Sequence, residues 1–264
     1  MCCNAASTTG ALQGMTPTHS HRNPAILLAL VCGLTASVQA QPPAQRLVHG
    51  LLWDAHEVTV GQVKALTKAS GLVSQAEQAS GGQVYEAGWT HKPGWTWRTP
   101  YGLPAQDDEP AVHLNFDEAQ ALCRQQGKRL PTDAEWVQAA YLEQRDPAPA
   151  GWVKGKRYVY PQGDQPLGSH CLAGCGDTVG VAPKGSLWRG TGHMPVMRTR
   201  AGVNGLWDMG GNVWEWVDTG TGNERITRGG SWWYGPERQL EADVATKPRQ
   251  TQVVYIGFRC VKAP

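Results

Sequence analysis

The segment richest in chemistry-bearing side chains follows a Gly-Gly-Ser sequence near the carboxyl end. Three adjacent aromatic residues, Trp232, Trp233 and Tyr234, come directly after Ser231. Aromatic side chains beside glycines can line a pocket for a flat or peptide-like ligand, although they can equally fill a core. The hydroxyl of Ser231 can hydrogen-bond a substrate oxygen or its own turn, and the carboxylate of Glu237 can act as a general base or lie in a solvated loop. We therefore take Ser231 and Glu237 as candidate catalytic residues and the three aromatic residues as a candidate pocket.

Three helices are expected to carry the scaffold that positions these residues. Each has apolar residues at helical spacing and begins with a residue that caps helices well. The first covers 60–70 after Thr59, the second covers 116–126 after Asn115, and the third opens at Thr132. The second and third also carry a glutamate three residues after the cap, which is the pattern of a capping box.

Strands are short in this sequence. We predict strands at 112–114 and 213–217, and in the second the side chains of Trp214 and Trp216 share one face while Glu215 lies on the other. The remainder is rich in loop-forming residues, with 32 glycines and 18 prolines, and contains 12 tryptophans. These patterns predict an α+β fold with little regular secondary structure, in which large indole rings fix the loops.

Length and charge limit the classes of function. The chain has 264 residues, of which 41% are hydrophobic and 17% charged, so we expect one large domain with a substantial core. Its formal net charge is +2 and it has no basic run, which gives no electrostatic basis for binding nucleic acid.

Residues 1–40 have the pattern of a signal peptide. An apolar run at 25–34 follows the basic Arg22 and is too short to span a bilayer. Residues 38–40 resemble a cleavage site, which leaves 41–264 as the mature chain. The alternative is a buried N-terminal helix. No later apolar run reaches about 18 residues, so we expect a periplasmic or secreted protein without a membrane span after cleavage.

Four of the seven cysteines lie in the mature chain: Cys123, Cys171, Cys175 and Cys260. An even number in an exported chain indicates disulfides, and four cysteines allow three pairings. Cys171 and Cys175 are close enough in sequence to pair locally, which would leave Cys123 with Cys260. The spacing of Cys171 and Cys175 also resembles half of a zinc site. Zinc sites usually combine two such clusters, so a local disulfide is favoured.

Four motifs occur in order along the second half of the chain. They are GKRLPTDAEW at 127–136, NGLWDMGGNVWEW at 204–216, RGGSW at 228–232 and GFRC at 257–260. Together they resemble the formylglycine-generating enzyme family, also called the sulfatase-modifying factor family, over roughly 46–261. The resemblance implies a single compact, loop-rich α+β domain related to C-type lectin-like folds. It also implies a Cys123–Cys260 disulfide and places Ser231 next to the family's active site.

The resemblance breaks at the family's reactive cysteines. Members that oxidise a substrate cysteine carry two thiols after the Gly-Gly-Ser motif, and thiolates are the ligands that suit copper(I). Tyr234 and Gln239 stand near those positions here. We therefore expect neither bound copper nor formylglycine generation by the family's cysteine and copper mechanism.

A calcium site is implied by a second part of the resemblance. Asn212, Val213 and Glu215 match a family segment whose backbone and side-chain oxygens contribute to a structural calcium ion, and calcium prefers six to eight oxygen ligands. The alternative is a structural turn in which Asn212 adopts a left-handed conformation.

Two functions follow as expectations. Exported family members include a pyoverdine-maturation protein that also lacks the thiol chemistry and is linked to oxidation of a chromophore precursor. By analogy, this chain would be an oxidoreductase-type enzyme that assists oxidative maturation of a small peptide-like molecule or a periplasmic protein. The alternative is a non-catalytic ligand- or protein-binding module on the same fold. A closed cleft with Ser231 and a carboxylate inside favours the enzyme, and a flat exposed aromatic patch favours the binding module.

Overall fold

The computed structural model describes residues 44–264, so the predicted signal peptide at 1–40 lies outside the described residues. This part of the chain contains four α-helices, nine short strands and two 3₁₀ turns. The helices are α1 Val60–Ser70, α2 Gln75–Gln78, α3 Phe116–Gln125 and α4 Asp133–Tyr141. The strands are β1 Gln45–Val48, β2 Leu51–Asp54, β3 Gly81–Tyr85, β4 Trp89–Pro93, β5 Trp214–Trp216, β6 Glu224–Arg228, β7 Ala245–Pro248, β8 Ile256–Gly257 and β9 Val261–Lys262, and the turns are Val203–Gly205 and Pro236–Gln239.

Capping side chains explain where the helices begin. Thr59, Asn115 and Thr132 each accept a hydrogen bond from the amide three residues on, and the side chain at that position bonds back to the cap. The three predicted helices are therefore confirmed, and α3 ends one residue earlier than predicted. Gly71 closes α1 with a left-handed φ of 69°. The short helix α2 was not predicted, because four residues after the cap Ser74 show no periodic pattern.

The strands of residues 44–264 form three small sheets. In the first, β2 lies between β1 and β9, and the second is the β3–β4 hairpin. In the third, the order is β7-β6-β5-β8, with β5 antiparallel to β6 and parallel to β8. The last strands of the chain thus pair with its first strands and with β5. Within the described residues, no helix has the length and apolar character needed to cross a membrane.

The predicted strand at 112–114 is wrong. His113 has a positive φ of 59°, which a continuous strand does not accommodate. Its amide donates to the Val253 carbonyl at 3.2 Å, and its imidazole Nε2 lies 3.1 Å from the Pro100 carbonyl. Long-range contacts of one buried residue, through its backbone and its side chain, therefore determine the conformation of this segment. The other predicted strand is confirmed, since β5 lies inside 213–217.

Two apolar clusters lie on the two sides of β5. Trp214 and Trp216 belong to the larger cluster, together with the buried faces of α1 and α3. Glu215 points the other way, toward Trp136 of the smaller cluster.

Both predicted disulfides are present. The Cys123–Cys260 bond joins α3 to the link between β8 and β9, with 5.6 Å between the Cα atoms. It closes a separation of 137 residues, for which the loop-entropy model gives about 5 kcal/mol. The second bond joins Cys171 to Cys175.

Candidate functional site

The Gly-Gly-Ser segment is held in place by backbone hydrogen bonds to the segment before β5. The Trp232 amide donates to the Asn212 carbonyl at 2.9 Å, and the Gly211 amide donates to the Gly229 carbonyl at 2.8 Å. Gly229 has a φ of 92°, and a Cβ there would lie 2.5 Å from the Met209 carbonyl oxygen. Only glycine allows this approach, so the sequence fixes where the following residues emerge.

Ser231, the last residue of this segment, is buried, with 1% of its surface exposed. Its hydroxyl accepts a hydrogen bond from the Trp233 amide at 3.3 Å, and its carbonyl accepts one from the Tyr234 amide at 3.1 Å. This is the geometry of a turn serine. A catalytic role for Ser231 stays a prediction.

A cavity of about 790 Å³ opens beside the segment. Three of the predicted residues, Trp233, Tyr234 and Glu237, lie in its lining. The predicted pocket residue Trp232 does not line it, because its ring packs behind Trp233 at 5.0 Å between ring centroids. The remaining lining residues are Leu172, Trp188, Arg189, Gly190, Gly235 and Arg238. A second cavity, of about 480 Å³ beside Trp152 and Arg200, contains none of the predicted residues.

Packed rings give the cavity a rigid wall. Trp233 stacks on Tyr255 at 5.8 Å and meets the edge of Trp188 at 6.0 Å. Tyr234 packs edge-on against Tyr255 at 6.0 Å and against Trp214 at 5.9 Å. Burial raises the pKa of Tyr234, so its hydroxyl stays protonated at neutral pH. Trp188 is 62% exposed and forms the rim, whereas Trp233 is buried.

Charges of opposite sign lie on this aromatic wall. The Arg189 guanidinium sits over the ring of Trp188 at 4.8 Å and over that of Trp233 at 5.7 Å. Arg238 lies 5.5 Å from the Tyr234 ring. Arg238 pairs with a neighbouring aspartate. The side chains of Arg189 and of the exposed Glu237 form no hydrogen bond or salt bridge with another residue of 44–264. The cavity therefore offers a cation and an anion that are both open to a ligand.

Tyr234 and Gln239, which the resemblance places near the family's reactive cysteines, lie together at this site. Tyr234 lines the cavity and Gln239 is buried behind it, with 1% of its surface exposed. The Gln239 Nε2 donates to the Sγ of Cys175 at 3.3 Å, and the Leu172 amide donates to the Tyr234 carbonyl at 2.9 Å. The loop closed by the Cys171–Cys175 disulfide thus packs against the two positions.

Sequence reasoning missed Trp188, Arg189 and the location of this disulfide loop. These residues precede the Gly-Gly-Ser motif by about forty positions or more, and no local pattern links the two segments. The adjacent pair Trp188-Arg189 before a glycine is the one signal that could have identified them, because arginine and tryptophan often combine at recognition surfaces.

The predicted calcium segment lies in a buried polar network. Glu215 accepts hydrogen bonds from Arg259 Nη2 at 2.5 Å and Nε at 2.8 Å, and from Trp136 Nε1 at 2.8 Å. Asn212 is left-handed, with φ 51°, and its amide donates to both oxygens of Glu57 at 3.2 and 3.1 Å. Burial, followed by repulsion from Asp208 and Glu215, raises the pKa of Glu57 well above its usual value.

These contacts bear on how calcium could bind. The Asn212 Oδ1 accepts the Met194 amide at 2.8 Å, and the Val213 amide faces Glu57 Oε1 at 3.4 Å. An ion held by the Asn212 and Glu215 side chains would have to replace existing partners, including a buried guanidinium. Calcium therefore stays a prediction, testable by comparing Tm with added calcium and with a chelator. Within 44–264, no group of three or more His, Cys, Asp and Glu side chains is arranged as a metal site.

Comparison with known proteins defines the class of this domain. The family described as "Sulfatase-modifying factor enzyme 1-like domain" matches residues 19–264, and the chain belongs to this family. Over 262 residues it is 29% identical to the formylglycine-generating enzyme of Streptomyces coelicolor, covering 78% of this chain and 76% of that one. It is also 29% identical over 188 residues to hercynine oxygenase of Mycolicibacterium thermoresistibile, covering 54% of this chain and 38% of that protein.

A solved structure supports the fold. PvdO from Pseudomonas aeruginosa matches with a TM-score of 0.53 at 19% identity, covering 81% of this chain and 80% of that one. The predicted α+β fold, formylglycine-generating enzyme-like and related to C-type lectin-like domains, is therefore confirmed.

Proposed function

We propose that the cavity binds a small peptide-like molecule and that the protein, exported to the periplasm or secreted, assists its oxidative maturation. One observation carries the proposal: the Arg189 guanidinium and the Glu237 carboxylate, neither paired with another side chain of residues 44–264, share one aromatic cavity of about 790 Å³. That volume lies within the range of roughly 300–1,000 Å³ usual for small-molecule sites.

A zwitterionic peptide fits this arrangement. Its carboxylate would pair with Arg189, whose guanidinium lies over the Trp188 ring and presents a planar fork of donors that matches a carboxylate. Its ammonium group would pair with Glu237, and an apolar side chain would pack on Trp233 and Tyr234. With the ligand in place, Glu237 is also the carboxylate positioned to accept a proton from it.

The oxidative part of the proposal rests on the relatives. Two relatives, a formylglycine-generating enzyme and a hercynine oxygenase, suggest oxidation as the class of reaction. Formylglycine generation through a thiol pair is not proposed, because Tyr234 and Gln239 stand near the positions of the family's reactive cysteines.

Calorimetric titration with phenylalanylalanine, a dipeptide with both termini free, tests the binding. We expect N-acetylation or C-amidation to weaken binding by roughly tenfold each, since a hydrogen bond to a charged group contributes about 1.5–3 kcal/mol. Arg189→Met should remove the preference for a free carboxylate, and Glu237→Gln the preference for a free amine. Arg124→Met, at an exposed arginine on α3, should change neither preference. Equal affinity for free and blocked peptides would refute the assignment.

A non-catalytic binding module is the second candidate, favoured by the exposed Trp188 at the rim. Mass analysis of a bound ligand after aerobic incubation separates the two. A product that has lost hydrogen or gained oxygen supports the enzyme, and a ligand recovered unchanged supports the binding module.

A further inference from the structure

The Cys171–Cys175 disulfide lies at the edge of the cavity. Leu172, inside the disulfide loop, lines the cavity and is 45% exposed. Its amide is bonded to the Tyr234 carbonyl at 2.9 Å. A molecule bound against Tyr234 would therefore lie next to the loop that carries these two sulfurs.

The two disulfides differ in their access to solvent. Cys123 and Cys260 both have 0% of their surface exposed, Cys175 has 1%, and Cys171 has 9%. A thiolate must reach a sulfur atom in order to exchange with a disulfide. Among the four cysteines of residues 44–264, Cys171 is thus the most exposed, so an incoming thiolate would reach it most readily.

Gln239 donates a hydrogen bond that can stabilise a thiolate on Cys175. Its Nε2 lies 3.3 Å from the Cys175 Sγ, and no other side-chain N–H or O–H group of residues 44–264 donates to a cysteine sulfur. Burial of Cys175 disfavours a thiolate, whereas a hydrogen bond from the Gln239 amide favours it and makes Cys175 the better leaving group. These differences set the direction of exchange: an incoming thiolate attacks Cys171, and Cys175 leaves with the electron pair.

We propose that this pair is a thiol–disulfide exchange centre for a thiol-bearing molecule. A substrate thiolate attacks the Cys171 Sγ, the bond to Cys175 breaks, and Cys175 leaves as a thiolate hydrogen-bonded to Gln239. A second substrate thiolate attacks the substrate sulfur of the mixed disulfide and releases Cys171. Two substrate thiols lose two electrons and become a disulfide, while the protein disulfide gains those electrons and takes up the two protons as a dithiol. The inference goes beyond the proposed ligand site, since exchange is measurable whether or not the cavity binds a peptide.

Reduced glutathione is the probe for the first test. The oxidised full-length protein is incubated with it, the reaction is stopped by alkylation, and the cysteine peptides are identified by mass. We expect Cys171 and Cys175 to become alkylated while Cys123 and Cys260 stay paired as the internal control. Opening of both bonds together, or of Cys123–Cys260 first, would overturn the proposal.

Variants that keep only one cysteine of this pair test which sulfur is attacked. Oxidised glutathione should form a mixed disulfide rapidly with Cys171 in the Cys175→Ser variant and slowly with Cys175 in the Cys171→Ser variant. Equal rates would remove the argument that Cys171 is the attacked sulfur.

Gln239→Met tests the hydrogen bond without changing the size of the side chain much. We expect exchange with reduced glutathione to slow by roughly tenfold, the loss of one hydrogen bond to a charged group. Gln162→Met is the matched control, because Gln162 is also a buried glutamine beside Gly210 but does not contact sulfur. A Gln239→Met variant that exchanges at the parent rate, with Gln162→Met unchanged, would refute the role of Gln239.

Discussion

The buried Arg259–Glu215 ion pair connects the last part of the chain to β5. Removing Arg259 tests how much this pair contributes to the free energy of unfolding. Both side chains have 0% exposure, and two guanidinium nitrogens contact the carboxylate at 2.5 and 2.8 Å. The same guanidinium donates to the carbonyls of Trp207 at 2.8 Å and Asp54 at 3.3 Å. Arg259→Leu would leave a buried carboxylate without its cation and would remove a donor from two carbonyl oxygens.

Breaking a buried ion pair from one side costs about 3–5 kcal/mol. At this chain length, each kcal/mol lowers Tm by about 2–4 °C, so we expect a fall of roughly 6–20 °C. The pair Arg129–Glu135 is the matched control, since it has the same forked geometry at 2.7 Å but side chains that are 43% and 29% exposed. Arg129→Leu should cost at most about 1 kcal/mol.

The loss should also depend on pH. Burial, together with Asp208 and Glu215, already raises the pKa of Glu57, and the positive charge of Arg259 opposes this rise. Without Arg259, the pKa of Glu57 should rise further, so the folded state keeps a proton on this carboxyl at pH values at which the unfolded chain releases it. A carboxyl with a raised pKa in the folded state lowers stability as pH rises above its unfolded value. The variant should therefore lose more stability at about pH 8 than at about pH 5.

Urea unfolding followed by tryptophan fluorescence measures both effects. The double variant Arg259→Leu/Glu215→Leu should recover part of the loss, because it removes the unpaired charge. If Arg259→Leu cost no more than Arg129→Leu, or the same at both pH values, the account of this network would be refuted.

Three further predictions concern the scaffold. Asn115→Ala should lower stability by about 1 kcal/mol in the same urea assay, because α3 loses its capping side chain; an unchanged midpoint would contradict this. Gly82→Ala should cost about 1–3 kcal/mol, since its Cβ would lie 2.1 Å from the buried His113 imidazole, and a fully stable variant would contradict that packing. Burial lowers the pKa of His113 to about 4, so stability should rise with pH by up to about 3 kcal/mol between about pH 4 and pH 6.5. His113→Gln should reduce that rise, and an unaltered pH profile would argue against His113 as its source.

Local interactions made much of the scaffold predictable from sequence. Asn115 and Thr132 cap helices through amides three residues away, so a short stretch of sequence contains both partners. The 112–114 segment was misread because its conformation depends on Val253 and Pro100, whose contacts no periodic pattern reveals. The conformation of such segments is determined by tertiary contacts.

The candidate site was only partly predictable, for the same reason. Trp233, Tyr234 and Glu237 are close in sequence and do line one cavity. Arg189, which gives the cavity its open cation, comes from a separate loop that reaches the site through tertiary packing. The local pairing of Cys171 with Cys175 was predictable from their spacing, but the position of that bond against Gln239 was not.

Asn212 connects the buried polar network to the cavity wall through hydrogen bonds that are independent of the side chains at the candidate site. Its side chain is bonded to Glu57, and its carbonyl holds the Trp232 amide that leads into the cavity wall. Neither bond involves the side chains of Tyr234 and Gln239. The Tyr234 ring packs edge-on against Trp214 and Tyr255, and the only hydrogen bond of the Gln239 side chain within residues 44–264 goes to Cys175. These two side chains can therefore differ from the family's thiols while the backbone bonds that shape the cavity persist, so function here has to be argued from the residues lining the cavity rather than from the fold.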